Sequence, residues 1–260
     1  MARREQLAAS GAAKVITPLI IVALFLGGWQ LYCGAAHVSP LDLPSPTEIA
    51  TALWQDRNAL WSALGPTALE IVLGIVCAAV IAFPLAAAIH FSLVARYGLY
   101  PLAVASQTVP VVLMAPLLVM WLGFGLLPKL IVIGVTCFFP ILVTTLGGLD
   151  SVDTELLKLL RSFDASRAQI FRRVELPAAL PGLFTGLKLA AVFAVIDTIL
   201  AEMSGTSSGL GLLFTTTLAN SELAECFATV FVLSVFAILL FALLSLTQRL
   251  LLPWTKRPAR

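Results

Sequence analysis

Long apolar segments alternate with shorter polar ones along this chain. Several of the apolar segments reach the roughly 20 residues that a helix needs to cross a bilayer. The pattern predicts six transmembrane helices, over residues 15–32, 68–89, 99–121, 130–146, 181–201 and 226–246. We therefore predict an all-α polytopic membrane protein, with a transmembrane domain over residues 15–252.

Composition strengthens that prediction. Of the 260 residues, 60% are apolar and only 12% are charged, whereas soluble domains carry about 25% charged residues. The first apolar segment lacks the small residues of a signal-peptide cleavage site, so we interpret it as a retained span. Four cysteines and two histidines show no metal-ligand spacing. We expect neither a metal site nor a nucleic-acid partner.

The distribution of basic residues predicts the orientation of the spans. With six spans, only Arg57 and Lys129 fall on one side of the membrane. The other 14 of the 16 lysines and arginines fall on the opposite side: Arg3, Arg4, Lys14, Arg96, Lys158, Arg161, Arg167, Arg172, Arg173, Lys188, Arg249, Lys256, Arg257 and Arg260. Because basic residues mark the cytoplasmic side, we expect residues 1–14, the loop 150–178 and the basic tail 253–260 in the cytoplasm.

The segment 37–66 falls on the far side of the membrane in this topology. It begins with a proline-rich turn, and Thr47 is a plausible cap for an amphipathic helix that carries Trp54 and Trp61. Tryptophan is enriched where a membrane meets water. We therefore expect this helix to lie at the membrane surface.

Polar and proline residues within the spans indicate a possible translocation pathway. The third span contains three prolines, which predict a bent helix, and a polar patch lies just before Pro110. Ionisable residues inside a membrane are candidates for function, although a structural hydrogen bond explains Asp197 equally well. The candidate pathway residues are Gln107, Thr108, Pro110, Met114, Asp197 and Glu202.

The cytoplasmic loop interrupts the apolar second half with five basic residues over residues 154–177. Leucines at helical spacing predict one helix over 152–162. Ser166 and Gln169 have the form of a capping box and predict a second helix over 167–173, which we expect Pro177 to stop. Phe171 beside basic residues is typical of a short helix that fits a groove on a partner protein. Alternatively, the basic residues only hold the loop at the membrane.

This loop resembles the conserved loop of binding-protein-dependent ABC importer permeases. That family pattern is Glu-Ala-Ala, three residues, Gly, nine residues, then Ile-x-Leu-Pro. Here residues 158–160 read Lys-Leu-Leu, Asp164 takes the glycine position, and residues 174–177 read Val-Glu-Leu-Pro at the family's spacing. The motifs LPSPTEI, WLGFG and GLG resemble the branch that imports nitrate, taurine, sulfonates and thiamine precursors. Asp tolerates the left-handed turn of that glycine at some cost.

The resemblance implies a permease subunit in a bacterial inner membrane, with both termini in the cytoplasm and segment 37–66 in the periplasm. It implies partner ABC ATPase subunits that bind ATP and Mg, a substrate-binding protein, and a permease homodimer within the lipid bilayer. This chain itself is expected to bind no cofactor and to have no enzymatic activity, since it contains no phosphate-binding loop. The residues implied in coupling to the ATPase are Asp164, Ser166, Arg167, Gln169, Phe171, Arg172 and Arg173.

Two other classes of protein share a polytopic pattern. An ion-coupled secondary transporter would use Asp197 or Glu202 as its ion site and predicts inverted repeats, which the chain does not show. An intramembrane enzyme needs a nucleophile near a base or a metal cluster, and the sequence shows neither pattern.

Within the importer class, the C-terminal region resembles permeases for thiamine precursors and riboflavin, which favours a planar heterocycle. Nitrate, taurine or an alkanesulfonate remains the alternative.

Overall fold

A computed structural model describes residues 2–205 and 207–256. The last four residues of the predicted basic tail, 257–260, lie outside the described residues. The described chain is helical, with no strand in these two ranges. Its α-helices are α1 Ala2–Ala35, α2 Pro46–Gln55, α3 Arg57–Phe91, α4 Leu93–Ser106, α5 Val111–Leu122, α6 Leu126–Leu149, α7 Thr154–Ser162, α8 Arg167–Ile170, α9 Leu176–Met203, α10 Leu210–Ala219 and α11 Leu223–Leu251. A π turn, Phe171–Glu175, joins α8 to α9, and a short 3₁₀ turn, Pro253–Lys256, follows α11.

Five helices are long and apolar enough to cross a membrane, which confirms the predicted all-α polytopic fold. They cover Ile16–Ala35, Arg57–Phe91, Leu126–Leu149, Arg167–Met203 and Leu223–Leu251. The third predicted span differs from the expectation of one bent helix. It forms two helices, α4 and α5, of 14 and 12 residues, each shorter than the roughly 20 residues that a span requires.

The break between α4 and α5 follows from proline and hydroxyl chemistry. Pro110 has no backbone N–H and disfavours helical geometry in the residue before it. The carbonyls that the break leaves at the end of α4 accept hydrogen bonds from side chains instead. Ser106 Oγ donates to Ala103 O at 2.7 Å, and Thr108 Oγ1 donates to Ala105 O at 2.8 Å. The polar patch predicted just before Pro110 therefore lies at the C-terminal end of α4.

The chain folds into two compact units, of which the first contains residues 2–60 and 214–231. In this unit the side chain of Gln30 accepts a hydrogen bond from the Thr47 N–H at 3.2 Å. The cap of α2 is Ser45 rather than the predicted Thr47. Ser45 Oγ accepts from the Glu48 N–H, and Glu48 Oε2 accepts from the Ser45 N–H at 2.7 Å. Proline at the first position of α2 favours this start, because its missing N–H needs no partner there.

The second unit contains residues 61–213 and 232–256, and its core lies between α3, α6 and α9. Alanines recur every four residues on the buried face of α3, at 78, 82 and 86. They pack with branched residues of α6 and small residues of α9, such as Ile141 and Ala194. Small residues let helices approach closely, which favours helix association in a membrane.

The closest helix approach joins α6 to α9 at glycines. A Cβ on Gly148 would lie 2.8 Å from the Cα of Ala179. A Cβ on Gly186 would lie 2.7 Å from the Cα of Ile141, and one on Gly182 would overlap the carbonyl oxygen of Thr144. Gly182 and Gly186 have the four-residue spacing that brings membrane helices into backbone contact. This interface holds the N-terminal half of α9 against α6.

Gly148→Ala is expected to destabilise the protein by about 1–3 kcal/mol, because the added methyl group overlaps the α9 backbone. The neighbouring Gly147 is a matched control, since a Cβ there meets no atom within 4 Å. Gly147→Ala should leave stability unchanged or raise it by up to about 1 kcal/mol through helix propensity. Thermal unfolding of the detergent-solubilised variants checks this. Equal unfolding temperatures for the two variants would contradict the packing described.

Candidate functional site

The loop that follows α6 contains the left-handed turn expected at Asp164. Asp164 has φ +57° and directly follows the C-cap of α7. The Asp164 N–H donates to Arg161 O and the Ala165 N–H donates to Leu160 O, both at 3.1 Å. These two hydrogen bonds form a Schellman motif, in which glycine is the usual left-handed residue. Asp164 therefore takes the structural position that glycine has in the family pattern.

Asp164→Gly is expected to preserve or strengthen this turn, because glycine adopts positive φ without steric cost. Asp164→Val should weaken it by about 1–2 kcal/mol, since a branched Cβ is strained in the left-handed region. Hydrogen exchange of the backbone amides of α7 measures the difference. Faster exchange in the glycine variant than in the valine variant would show that the turn does not control the segment.

The second helix of the loop begins as predicted but does not stop at Pro177. Ser166 and Gln169 form the capping box, with the Ser166 N–H donating to Gln169 Oε1 at 2.8 Å. The chain then passes through the π turn, where the Leu176 N–H donates to Phe171 O, five residues back. Pro177 lies in the first turn of α9, where a missing N–H costs little. The expected stop at Pro177 is therefore wrong.

The segment from α8 through the π turn, residues 167–175, has two faces, and we name it the coupling segment. Arg167, Gln169, Arg172 and Arg173 are exposed. On the opposite face Ile170 is buried, and the ring of Phe171 packs on Phe91 with a centroid distance of 5.2 Å. Phe171 is half-buried and packs against the protein's own core, so its interpretation as a knob for a partner stays a prediction. The exposed aromatic residue of the loop is Phe163, at 75%.

A buried polar cluster lies at the opposite end of α3, α6 and α9. Lys129 Nζ donates to Glu70 Oε1 at 2.6 Å, and both side chains are about 95% buried. Glu202 Oε1 accepts from Thr67 Oγ1 at 2.7 Å, and its Oε2 accepts from the Gly211 N–H at 2.5 Å. We name Thr67, Glu70, Lys129 and Glu202 the distal cluster. Its three charged groups lie close enough to interact electrostatically.

Glycines of the GLG motif allow Glu202 to reach the backbone of the next segment. A Cβ on Gly211 would lie 2.6 Å from the Cβ of Glu202. Gly209 has φ +118° and lies against the Glu202 carboxylate. The Leu210 N–H also donates to Thr67 Oγ1 at 2.8 Å. These contacts hold the start of α10 on α3 and α9, which gives the motif a structural reason.

A second polar cluster lies where α3 and α6 end and the coupling segment joins α9. His90 Nδ1 is 2.8 Å from Asp150 Oδ1, and His90 Nε2 is 3.4 Å from Glu175 Oε1. Arg96 of α4 forms an ion pair with Asp150 Oδ2. We name His90, Arg96, Asp150 and Glu175 the proximal cluster. Lys129 lies in the first turn of α6 and Asp150 directly follows its last residue. The two are about 32 Å of helix apart, which matches the hydrocarbon thickness of a bilayer.

The sequence did not predict either cluster as a site. The charge pattern placed Lys129 on the side of the membrane opposite most basic residues, and the structure buries it in an ion pair with Glu70. Ionisable residues recur in the sequence where apolar spans begin and end, and this pattern could have indicated the clusters. Such residues pair when they are buried. Among the described residues, no group of three or more His, Cys, Asp or Glu side chains is placed to hold a metal ion.

The candidate pathway residues occupy separate places in this protomer. Gln107, Thr108 and Pro110 are exposed at the break after α4, where Gln107 Nε2 donates to Val135 O at 3.4 Å. Met114 packs in a cluster that includes Ala201. Asp197 is buried beside Thr136, and its Oδ2 has no hydrogen-bond partner among the described residues. Glu202 belongs to the distal cluster.

Comparison with known proteins places this arrangement in a family. A family model described as "Binding-protein-dependent transport system inner membrane component" matches residues 50–257. The formylaminopyrimidine transport permease protein ThiX of Halalkalibacterium halodurans is 33% identical over 245 residues, covering 94% of this chain and 98% of the relative. The taurine transport system permease protein TauC of Escherichia coli is 30% identical, covering 90% and 87%.

A solved structure supports the fold independently. A chain of the MetNI methionine ABC transporter in an inward-facing conformation superposes with a TM-score of 0.54 at 20% sequence identity. The match covers 79% of this chain and 98% of that chain. Three observations indicate the same family: the helical spans, the spacing of residues in the loop, and the family match over most of the sequence. The chain belongs to the family of binding-protein-dependent transport system inner membrane components, the permease subunits of ABC transporters.

Proposed function

We propose that this chain is the translocating subunit of an ATP-driven importer. A substrate-binding protein delivers a small solute, and separate ATPase subunits bind ATP and Mg and supply the energy. The family match and the relatives support this division of labour. Both termini and the coupling segment lie in the cytoplasm of a bacterial cell in this proposal, because 14 of 16 basic residues then fall inside.

An exposed apolar stripe on α7 supports docking of an ATPase subunit. Leu156, Leu159 and Phe163 recur at helical spacing and are 42%, 52% and 75% exposed. The same loop carries the exposed basic residues Arg161 and Arg167. A run of exposed apolar residues on a polar surface indicates a protein interface. The coupling segment continues from this stripe, so displacement of the bound ATPase would reach α9.

Exposed polar groups in the third predicted span support a dimer of this chain. Gln107 and Thr108 lie at a helix break between two apolar helices and are exposed. Irregular backbone at membrane depth is stable only where protein or a water-filled cavity covers it. We propose that two copies enclose a pathway there within the lipid bilayer, lined by Gln107, Thr108, Pro110 and Met114. Asp197 and Glu202 support the helices around it.

We propose that the solute is a planar heterocycle, either a thiamine-precursor pyrimidine or a riboflavin-like molecule. The observation that carries this choice is the 33% identity with a formylaminopyrimidine permease over nearly the full length of both chains. Taurine, nitrate or an alkanesulfonate is the second candidate, supported by the 30% identity with a taurine permease.

Competition for uptake distinguishes the two candidates. The permease, its ATPase and its binding protein are reconstituted in liposomes, and uptake of labelled formylaminopyrimidine is measured with unlabelled riboflavin or taurine in excess. We expect uptake of labelled formylaminopyrimidine. Excess riboflavin should reduce this uptake if both molecules share the pathway, whereas excess taurine should leave it unchanged. Uptake of labelled taurine without uptake of either heterocycle would establish the second candidate instead.

A further inference from the structure

The first and last residues of the π turn contact the last two residues of α3. At the first position, Phe171 contacts the ring of Phe91 edge-on at 5.2 Å. At the last position, Glu175 Oε1 lies 3.4 Å from His90 Nε2. A π turn carries one more residue than an α-helical turn and often marks a functional position. Here it directs both Phe171 and Glu175 towards α3.

His90 connects the coupling segment to a second helix as well. Its Nδ1 is 2.8 Å from Asp150 Oδ1, directly after α6, while its Nε2 faces Glu175. The two ring nitrogens of histidine lie on different sides, so one ring lies between two carboxylates. The side chains of His90 and Glu175 are only 14% and 7% exposed, which shields the contact from water.

The proximal cluster also reaches α4 through Arg96, which pairs with the other oxygen of Asp150. A cavity of about 310 Å³ lies beside this ion pair, lined by Arg96, Tyr100 and Asp150 together with α6 residues. This cavity leaves space in which the Arg96 and Asp150 side chains can move together.

We propose that His90 is a positioning residue that transmits movement of the coupling segment to the ends of α3, α6 and α4. This inference rests on the proposed function, because it assumes that a partner ATPase displaces the segment. When the π turn is displaced, Glu175 shifts His90 and Phe171 shifts Phe91, because each pair is in contact. The contact of His90 with Asp150 then shifts Asp150, and the ion pair of Asp150 shifts Arg96. The ends of these three helices then move together, and the pathway opens and closes with the ATPase.

The test compares uptake with ATP hydrolysis in the complete complex, reconstituted in liposomes with its binding protein. His90→Phe keeps an aromatic ring beside Phe91 and removes both polar contacts. Glu175→Gln keeps the shape of its side chain and removes the charge. We expect each variant to copurify with the ATPase and to hydrolyse ATP. Uptake per ATP hydrolysed should fall about five-fold or more, the size of an ordinary coupling between sites.

The double variant His90→Phe with Glu175→Gln should be no worse than the worse single variant, because both changes break the same contact. Tyr97→Phe, at an exposed position next to Arg96, is the matched control and should keep the wild-type ratio. A wild-type ratio in either single variant would overturn the proposal. So would additive losses in the double variant, or failure of both single variants to assemble, which would make the cluster a purely structural support.

The wild-type complex separates this inference from the proposed function. If wild-type uptake does not depend on ATP, the proposed function fails. If wild-type uptake depends on ATP and the His90→Phe complex keeps the wild-type ratio of uptake to ATP hydrolysis, only the proposed role of His90 is wrong.

Discussion

Lys129→Met is expected to destabilise the protein by about 3–5 kcal/mol, the usual cost of removing one partner from a buried ion pair. The change leaves the Glu70 carboxylate buried without its 2.6 Å partner. Oε2 of Glu70 already has no hydrogen-bond partner among the described residues. The nearby Glu202 carboxylate adds repulsion once the ammonium group is gone.

Thermal unfolding in detergent measures this loss, with Lys158→Met as the matched control. Lys158 also pairs with a glutamate, Glu155 at 2.8 Å, but the two side chains are 68% and 76% exposed. Exposed pairs contribute little, so the control should unfold close to wild type. Replacing Glu70 by Met together with Lys129 should recover part of the loss, because no charge is then left without its partner. Equal unfolding temperatures for Lys129→Met and Lys158→Met would contradict the burial of the distal cluster.

Phe163→Glu is expected to weaken binding of the ATPase subunit by about 2 kcal/mol or more, or roughly 30-fold in Kd, as for a central aromatic residue of an interface. Phe163, the C-cap of α7, is the most exposed residue of the stripe, at 75%. The stability of the permease alone should therefore not change.

Thr154→Glu is the control for charge. Thr154 is the first residue of α7 and is exposed, and helical spacing places it on the face opposite the stripe. A negative charge at a helix N-terminus is also favourable for the helix itself. Copurification of the ATPase at graded salt measures the affinities. If Phe163→Glu retains the ATPase as well as Thr154→Glu does, the stripe is not the docking surface.

Local rules predicted much of the cytoplasmic loop. The capping box of Ser166 and Gln169 and the left-handed turn at Asp164 depend on residues within five positions of each other. The expected stop at Pro177 failed because a hydrogen bond five residues long replaced the α-helical one. Pro177 then falls in the first turn of α9, where its missing N–H costs little.

The polar clusters could not be predicted from sequence in the same way, because their partners are distant in the chain. Lys129 and Glu70 are 59 positions apart, and Thr67 and Glu202 are 135 positions apart. Charge patterning placed Lys129 on the side opposite most basic residues, but it did not show which side chain would pair with it. Similarly, the spacing of Phe163 and Phe171 on short helices did not show which ring would face the core. Only the packing of α3 against the coupling segment decides that.

We expect ATP hydrolysis on a partner subunit to drive transport through this chain. The test is uptake of labelled solute into liposomes that contain the permease and ATPase, with binding protein outside and either ATP or no nucleotide inside. We predict uptake only with ATP and binding protein together, and none with an ATPase that binds but cannot hydrolyse ATP. Uptake without ATP, driven by an imposed proton or sodium gradient, would contradict it.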